Sequence, residues 1–179
     1  ADKPGMMTQS TDMFKAALSN STIDFGADQD TFTLTKAATS TTILGGAGND
    51  NLVFTSGATL VNANVSGGGD ADSLVFSVAV TTSSVSGGGG DDTMVFNSSV
   101  SGASVSLDSG ADSVNFVTQV VGSTTMTGGG GTNTVQFSSA NDLVSFDGVF
   151  GAGSIMGGSG NDTLVFLGGS KVNGATVVK

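Results

Sequence analysis

A phrase of ten residues recurs along this chain and constrains its fold more than any other feature. Each copy has a glycine-rich turn, an aspartate, and a short apolar strand that ends in phenylalanine. Residues 45–54 and 157–166 are its clearest copies. Variants occupy residues 67–76, 87–96, 107–116 and 128–137, and a degenerate copy lies at 24–33. So many copies at a near-constant spacing indicate a repeat array rather than one unique core.

The aspartate of the phrase marks the period of the array. Its positions are Asp30, Asp50, Asp72, Asp92, Asp112, then Asn133, then Asp162. The intervals are therefore 20, 22, 20, 20, 21 and 29 residues. Within each copy the apolar residues alternate as in a β-strand, and glycines separate the strands. A period near 20 fits one coil with two short strands and two turns, so the sequence predicts an all-β parallel β-solenoid (a β-roll or β-helix). It would have about seven coils, stacked about 4.8 Å apart.

The N-terminal segment has a different pattern. Ser10 or Thr11 can cap a helix, and four apolar residues that follow fall on one helical face: Met13, Phe14, Ala17 and Leu18. We therefore expect residues 1–21 to form a lead and a short capping helix, because the first coil of a stack needs a cover. Residues 22–179 would form the solenoid.

One coil, at residues 126–154, is predicted to be enlarged. It carries about nine extra residues, including Phe146, Val149 and Phe150. Insertions in repeat proteins map to loops on one face, which is often the binding face. The sequence leaves two interpretations open: a binding loop at 138–154, or a bulge whose aromatic residues pack against the rod.

Composition narrows the classes of function. The net charge is −10, all 15 acidic residues are Asp, and the only cations are Lys3, Lys15, Lys36, Lys171 and Lys179. This balance speaks against a nucleic-acid partner, which needs positive charge. No apolar run is long enough for a membrane span. The chain has no His and no Cys, so we expect no thiol chemistry, no disulfides and no enzyme activity.

The aspartates of the phrase would form a column, because equivalent residues of stacked coils lie above one another. Like charges about 4.8 Å apart repel by roughly 1 kcal/mol per pair even in water. The column must therefore point into solvent, take up protons or bind a cation. Glycine-rich turns can direct carbonyl oxygens at such a cation. Carboxylate and carbonyl oxygens are the ligands that Ca²⁺ prefers, so the sequence favours calcium.

The pattern Gly-Gly-x-Gly-x-Asp-x-apolar-x, found at residues 45–53 and 157–165 and matched at 87–95, resembles the nonapeptide of RTX proteins, the haemolysin-type calcium-binding β-rolls. The resemblance covers about residues 23–166, but only one half of each coil carries the motif. It therefore implies one row of Ca²⁺ ions between coils rather than two. The implied side-chain ligands are Asp50, Asp72, Asp92, Asp112 and Asp162, with Asp30 in a degenerate copy. The implied backbone ligands come from Gly45, Gly48, Gly67, Gly87, Gly90, Gly157 and Gly160.

These features favour a secreted, extracellular structural protein that builds a cell-surface assembly such as a filament, an S-layer or an adhesin rod. The expected partners are copies of itself, and a cell-surface or glycan partner is a second candidate. The candidate interface residues are apolar side chains expected on the outside or in the enlarged coil: Val53, Val75, Val95, Val165, Phe146 and Phe150. The alternative is a binding module that uses the 138–154 loop, either a virion or surface receptor-binding fibre or, with less support, an ice-binding protein.

Overall fold

The structure is a computed structural model that describes residues 11–55, 57, 59–151, 153–168 and 170–178. The described residues form strands joined by turns and contain no helix. In chain order the strands are β1 (Thr11–Phe14), β2 (Leu18–Ser19), β3 (Thr22–Asp24), β4 (Thr31–Leu34), β5 (Ala38–Thr39), β6 (Thr42–Ala47), β7 (Asn51–Phe54), β8 (Thr59–Val61), β9 (Asn64–Gly69), β10 (Ser73–Phe76), β11 (Ala79–Thr81), β12 (Ser84–Gly89), β13 (Thr93–Phe96), β14 (Val100–Ser101), β15 (Ser104–Ser109), β16 (Ser113–Phe116), β17 (Val120–Val121), β18 (Thr124–Gly130), β19 (Asn133–Gln136), β20 (Leu143–Phe150), β21 (Gly153–Met156), β22 (Thr163–Phe166), β23 (Lys171–Val172) and β24 (Ala175–Val178).

These strands build three parallel sheets that wind into a β-solenoid of about eight turns. Sheet A has the spatial order β1-β4-β7-β10-β13-β16-β19-β21-β24, sheet B the order β2-β5-β8-β11-β14-β17, and sheet C the order β3-β6-β9-β12-β15-β18-β20-β22, with β23 also paired to β20. The prediction of a parallel β-solenoid with a period near 20 is confirmed. The expected two strands per coil are wrong, because most coils contain a third strand, of two or three residues, in sheet B.

The core consists of columns of equivalent side chains. Phe54, Phe76, Phe96 and Phe116 stack with ring centroids 4.8 Å apart, and Phe137 follows at 5.1 Å. This spacing equals the distance between hydrogen-bonded strands, so the backbone sets the distance between the rings. The predicted inward residues of sheets A and C are likewise buried in the central coils: Ile43, Leu52, Val65, Leu74, Val85, Met94, Val105, Val114, Met126 and Val135.

The predicted N-terminal helix is wrong over the described residues. Thr11–Phe14 and Leu18–Ser19 are strands β1 and β2 of a first coil, while residues 1–10 lie outside the described part. Phe14 pairs with Leu34, and Leu18 pairs with Ala38. Phe14 and Leu18 have the same spacing as their partners in the next coil, so a spacing that suggests a helical face also fits a coil. The edges of β4 and β5 offer backbone hydrogen-bond partners that a helix would leave unused.

The enlarged coil at 126–154 is in fact a change of coil phase. Asp142 lies 20 residues before Asp162, and each precedes a strand of sheet C, β20 and β22. Copies of the phrase up to Asn133 instead lead into sheet A. Within the described part, the chain after β19 passes directly to sheet C without a sheet B strand. Residues 143–150 and 153–156 are thus strands of the stack rather than a loop.

Phe96→Ala tests the ring column. Phe96 is fully buried between two stacked rings, so its truncation should lower the free energy of unfolding by about 3–5 kcal/mol. Phe166→Ala is the matched control, because Phe166 stacks on one ring only and is 39% exposed. Urea unfolding followed by circular dichroism measures both losses. Equal losses in the two variants would contradict the column as the main source of stability.

Candidate functional site

The candidate site is a column of inward-facing aspartates, one at the end of each turn that leads from sheet C into sheet A. The turn places each Asp directly before a strand of sheet A, such as β7 after Asp50 and β10 after Asp72. The members are between 0% and 3% exposed. We call this set the aspartate column, and it consists of Asp30, Asp50, Asp72, Asp92 and Asp112, with Asn133 as its last member.

A ladder of hydrogen bonds joins the members of the column. The backbone N–H of each residue donates to Oδ1 of the next: Asp30 to Asp50 at 2.7 Å, Asp50 to Asp72 and Asp72 to Asp92 at 2.8 Å, and Asp92 to Asp112 at 2.9 Å. The Asp112 N–H donates to Oδ1 of Asn133 at 2.9 Å. One carboxylate oxygen per coil therefore replaces the carbonyl that a buried N–H group requires.

The second carboxylate oxygen of the column lies in the interior. Oδ2 of Asp50, Asp72, Asp92 and Asp112 is buried and accepts no hydrogen bond within the described part of the chain. The same holds for the side-chain nitrogen of Asn133, which takes the equivalent place at the end of the column. Burying such an oxygen without a partner costs free energy, so a proton or a cation there would stabilise the column.

Glycines create the space for these oxygens. A Cβ atom on Gly45 would overlap both Asp50 Oδ2 and the carbonyl oxygen of Gly67 in the next coil. Gly67 stands in the same relation to Asp72 and the Gly87 carbonyl. The carboxylate oxygen and a backbone carbonyl oxygen thus converge on one point beside each glycine. Of the other predicted glycines, Gly48, Gly90 and Gly160 have positive φ in the outer part of a turn, and Gly157 donates its N–H to the Val178 carbonyl at 2.7 Å.

Burial perturbs the titration of the column. It raises the pKa of the Asp72 carboxyl from 3.8 to about 7 and that of Asp92 to about 6, although the backbone N–H that each accepts lowers it. Repulsion from neighbouring carboxylates adds to the increase. The pKa values of Asp50 and Asp112 are also raised, and the largest cause is again the loss of solvation on burial.

At some positions of the aspartate column, the available donor atoms are of the kind that calcium binds. All donors are oxygens, which suits Ca²⁺. Among the described residues, no group of three or more acidic side chains is arranged to hold a metal ion, so each position offers a single carboxylate, with a backbone carbonyl oxygen close to it at Asp50 and Asp72. By register, Phe25 and Leu107 take the place of this glycine in the coils of Asp30 and Asp112. A glycine lies beside the buried carboxylate oxygen at three positions, Asp50, Asp72 and Asp92, and at these positions the donor chemistry is the kind that calcium would use.

Other acids near the column close the outer turns. Asp70 Oδ2 accepts the Gly48 N–H at 3.1 Å, and Asp91 Oδ1 accepts the Ala111 N–H at 2.8 Å. Asp108 accepts hydrogen bonds from two serine hydroxyls of sheet C. These exposed carboxylates stabilise turn backbone and side chains rather than the interior.

Asp162 does not belong to the aspartate column. It lies at the start of sheet C strand β22, and its Oδ1 accepts the Asp142 N–H at 3.1 Å. Sequence reasoning missed Asp142, although its spacing of 20 residues from Asp162 was a usable signal. Asp142 Oδ1 accepts the Val120 N–H of strand β17 at 2.7 Å. In earlier coils the carbonyl of the residue just before the next sheet B strand accepts the equivalent N–H, so Asp142 caps the edge of sheet B.

The candidate interface residues divide into two groups. Val53, Val75 and Val95 form an outward column on sheet A and are half-buried. Val165 is 38% exposed. The other two residues, Phe146 and Phe150, are buried in the core, so their assignment to an interface is wrong. They pack edge to face at 5.3 Å, because the supposed loop is a coil of the stack.

The comparisons with known proteins add no assignment. No family model, curated protein or solved structure matches the chain. Among the described residues, no helix has the length and apolar character that a membrane crossing requires.

Two substitutions at Asp72 separate the two oxygens of its carboxylate. Asp72→Ala removes the acceptor of the buried Asp50 N–H, so at pH 4 it should cost about 1–3 kcal/mol of unfolding free energy. Asp72→Asn keeps an oxygen acceptor, as Asn133 does naturally, and should be nearly neutral at that pH. Urea unfolding of both variants gives the comparison. If the asparagine variant lost as much stability as the alanine variant, the hydrogen-bond ladder would not be the stabilising element.

The raised pKa values predict that stability without divalent cations decreases as pH rises. The folded column retains protons that the unfolded chain releases near pH 4, so stability is full below about pH 4 and is lost as pH passes about 6 to 7. Urea unfolding in chelator at several pH values measures the slope, and Asp72→Asn should reduce it. A stability that is constant or increases across this range would show that the column is not protonated in the fold.

Proposed function

We propose that this protein is a secreted structural protein whose rigid solenoid serves as a rod in an extracellular assembly, such as a filament, an S-layer or an adhesin. The observation that carries the proposal is the aspartate column, whose buried carboxylates from Asp50 to Asp112 lie in the sequence between Lys36 and Lys171, where no cationic side chain occurs. Such a row makes the stability of the rod depend on an ion supplied from outside.

Calcium is the ion that we propose for the column. Asp50, Asp72 and Asp92 would hold it with backbone carbonyl oxygens of the glycine turns, and it would supply the positive charge that these positions lack. The resemblance of the glycine-rich phrase to RTX repeats supports this choice. A cation that binds only the folded coils stabilises the fold by mass action, so the chain would gain stability where calcium is abundant. This dependence suits a protein that works outside the cell.

The proposal assigns no catalytic role to the chain. The sequence has neither His nor Cys, and the buried acids already serve the backbone as hydrogen-bond acceptors. Exposed apolar side chains support contacts between copies instead. Val165, Phe166 and Leu167 are each between 38% and 39% exposed along the last strand of sheet C and just after it. A second copy that covered them would remove apolar surface from water.

Calcium titration tests the proposal directly. We expect the urea midpoint to be higher in millimolar calcium than in chelator, because the free energy of unfolding rises by about 2.7 kcal/mol per site when calcium reaches about a hundred times its Kd. Magnesium should act more weakly, because it demands a stricter octahedral geometry. Asp72→Asn should reduce the calcium effect, whereas Asp147→Asn, which changes an exposed acid outside the column, should not. An unfolding midpoint that ignores chelation would remove calcium from the proposal.

Light scattering tests assembly separately. We expect the particle mass to increase with concentration in calcium, and Phe166→Ser with Leu167→Ser to reduce that increase. A wild-type chain that remains monomeric at high concentration in calcium would contradict the assembly role while leaving the calcium result intact.

A binding module is the second candidate function. The proposed loop at 138–154 does not exist as a loop, but the change of coil phase at its beginning opens a groove on the surface. That groove is the specific observation that favours this alternative.

A further inference from the structure

A groove of about 370 Å³ lies where the coil changes phase. Side chains from three successive coils line it, among them Asn115, Val117, Gln136, Ser139 and Ser159. Earlier coils continue from sheet A into a sheet B strand, but the chain after Gln136 turns directly toward sheet C. The groove therefore coincides with the step between two coil shapes rather than with the regular repeat.

The outward column of sheet A changes character at this groove. Val53, Val75 and Val95 occupy the column in the three coils before the groove, after Thr33 in the preceding coil, and Asn115 and Gln136 follow them as directly paired residues. Two amide side chains thus stand side by side on adjacent strands where apolar side chains stood before. Regular sheet geometry does not require this change, because valine suits an outward strand position as well as an amide does.

Most polar side chains of the groove have no hydrogen-bonding role within the described part of the chain. Within the described part of the chain, the side chains of Asn115, Gln136, Ser139 and Ser159 make no hydrogen bond. Ser138, also in the lining, differs because its hydroxyl donates to Asp142 Oδ2 at 3.1 Å. The free groups comprise amides and hydroxyls, each of which can both donate and accept. Val117, which is 50% exposed, adds an apolar surface beside them.

We propose that this groove binds a neutral saccharide unit of a glycan. No charged side chain lines the groove, which disfavours acidic and basic ligands. Amides and hydroxyls complement sugar hydroxyls in both donor and acceptor roles, and Val117 offers a contact for the C–H face of a sugar ring. A peptide strand is a poorer occupant, because β19 already pairs with β16 and β21 and has no free edge there. The inference requires neither calcium binding nor self-assembly.

An array of immobilised glycans tests the inference with the full chain. The array carries neutral oligosaccharides together with sialylated and sulfated ones, and calorimetry with the best neutral oligosaccharide gives its Kd. We expect binding to at least one neutral glycan. The double variant Asn115→Ala and Gln136→Ala should weaken it about tenfold or more, because about 1.4 kcal/mol of lost hydrogen bonding corresponds to a factor of ten.

Two further variants complete the design. Asn51→Ala is the matched control, because Asn51 is an amide on the outer face of sheet A several coils away, and its binding should equal that of the wild type. Ser139→Trp should block the groove without removing an amide, which covers the case that the double variant unfolds. Thermal unfolding verifies the fold of each variant. The inference is overturned if no neutral glycan binds, if only acidic glycans bind, or if binding persists in both groove variants.

Discussion

Stacking of equivalent residues is the constraint on which the rest of this structure depends. Parallel coils hydrogen-bond to each other along their length, so nearly every residue lies against its counterpart one coil away. A side chain can occupy a column only if it tolerates a copy of itself at the strand spacing. Phenylalanine satisfies this condition in the interior, where its rings stack at 4.8 Å. Aspartate satisfies this condition only if another interaction offsets the repulsion between its copies.

The aspartate column combines two opposite effects on stability. Oδ1 stabilises the fold by accepting a buried N–H, and removal of the side chain would leave that donor unpaired. Oδ2 opposes folding at neutral pH, because it carries charge into the interior beside other carboxylates. Asn133 keeps the acceptor oxygen and avoids the charge, although its buried nitrogen also lacks a partner, and it appears only at the end of the column. A repeat that keeps aspartate despite the simpler amide is consistent with a role for the charge itself, and that is the physical basis for proposing an ion.

The sequence predicts the periodic part of this molecule well. The near-constant spacing of Phe54, Phe76 and Phe96 specifies both the coil length and the inward face. Sheet B was missed because its strands have two or three residues, too few for an alternating pattern.

The remaining differences have physical causes that lie outside any single segment. Phe14 and Leu18 fit a helix by local spacing, but the open edge of the next coil decides in favour of strands. The inward direction of Asp72 depends on the hydrogen bond that it accepts from another coil, which no local pattern contains. The phase change was readable in principle from the spacing of Asp142 and Asp162, yet its effect on sheet B follows only from the contact with Val120. The groove is a consequence of that phase change. The sequence therefore indicated the segment in which the groove lies, but not the shape of the groove.

Asp142 also determines how a molecule of this design can change in length. In residues 31–132 each coil presents matching sheet edges to the coil before and the coil after it, so duplication of one coil would leave every column continuous. The Asp142 carboxylate accepts the hydrogen bond of the Val120 N–H, which a further sheet B strand would need for its own pairing. A coil inserted after that point would have to match sheets A and C alone. Growth by tandem duplication is therefore compatible with the three-sheet region and is blocked at the point where Asp142 closes the third sheet.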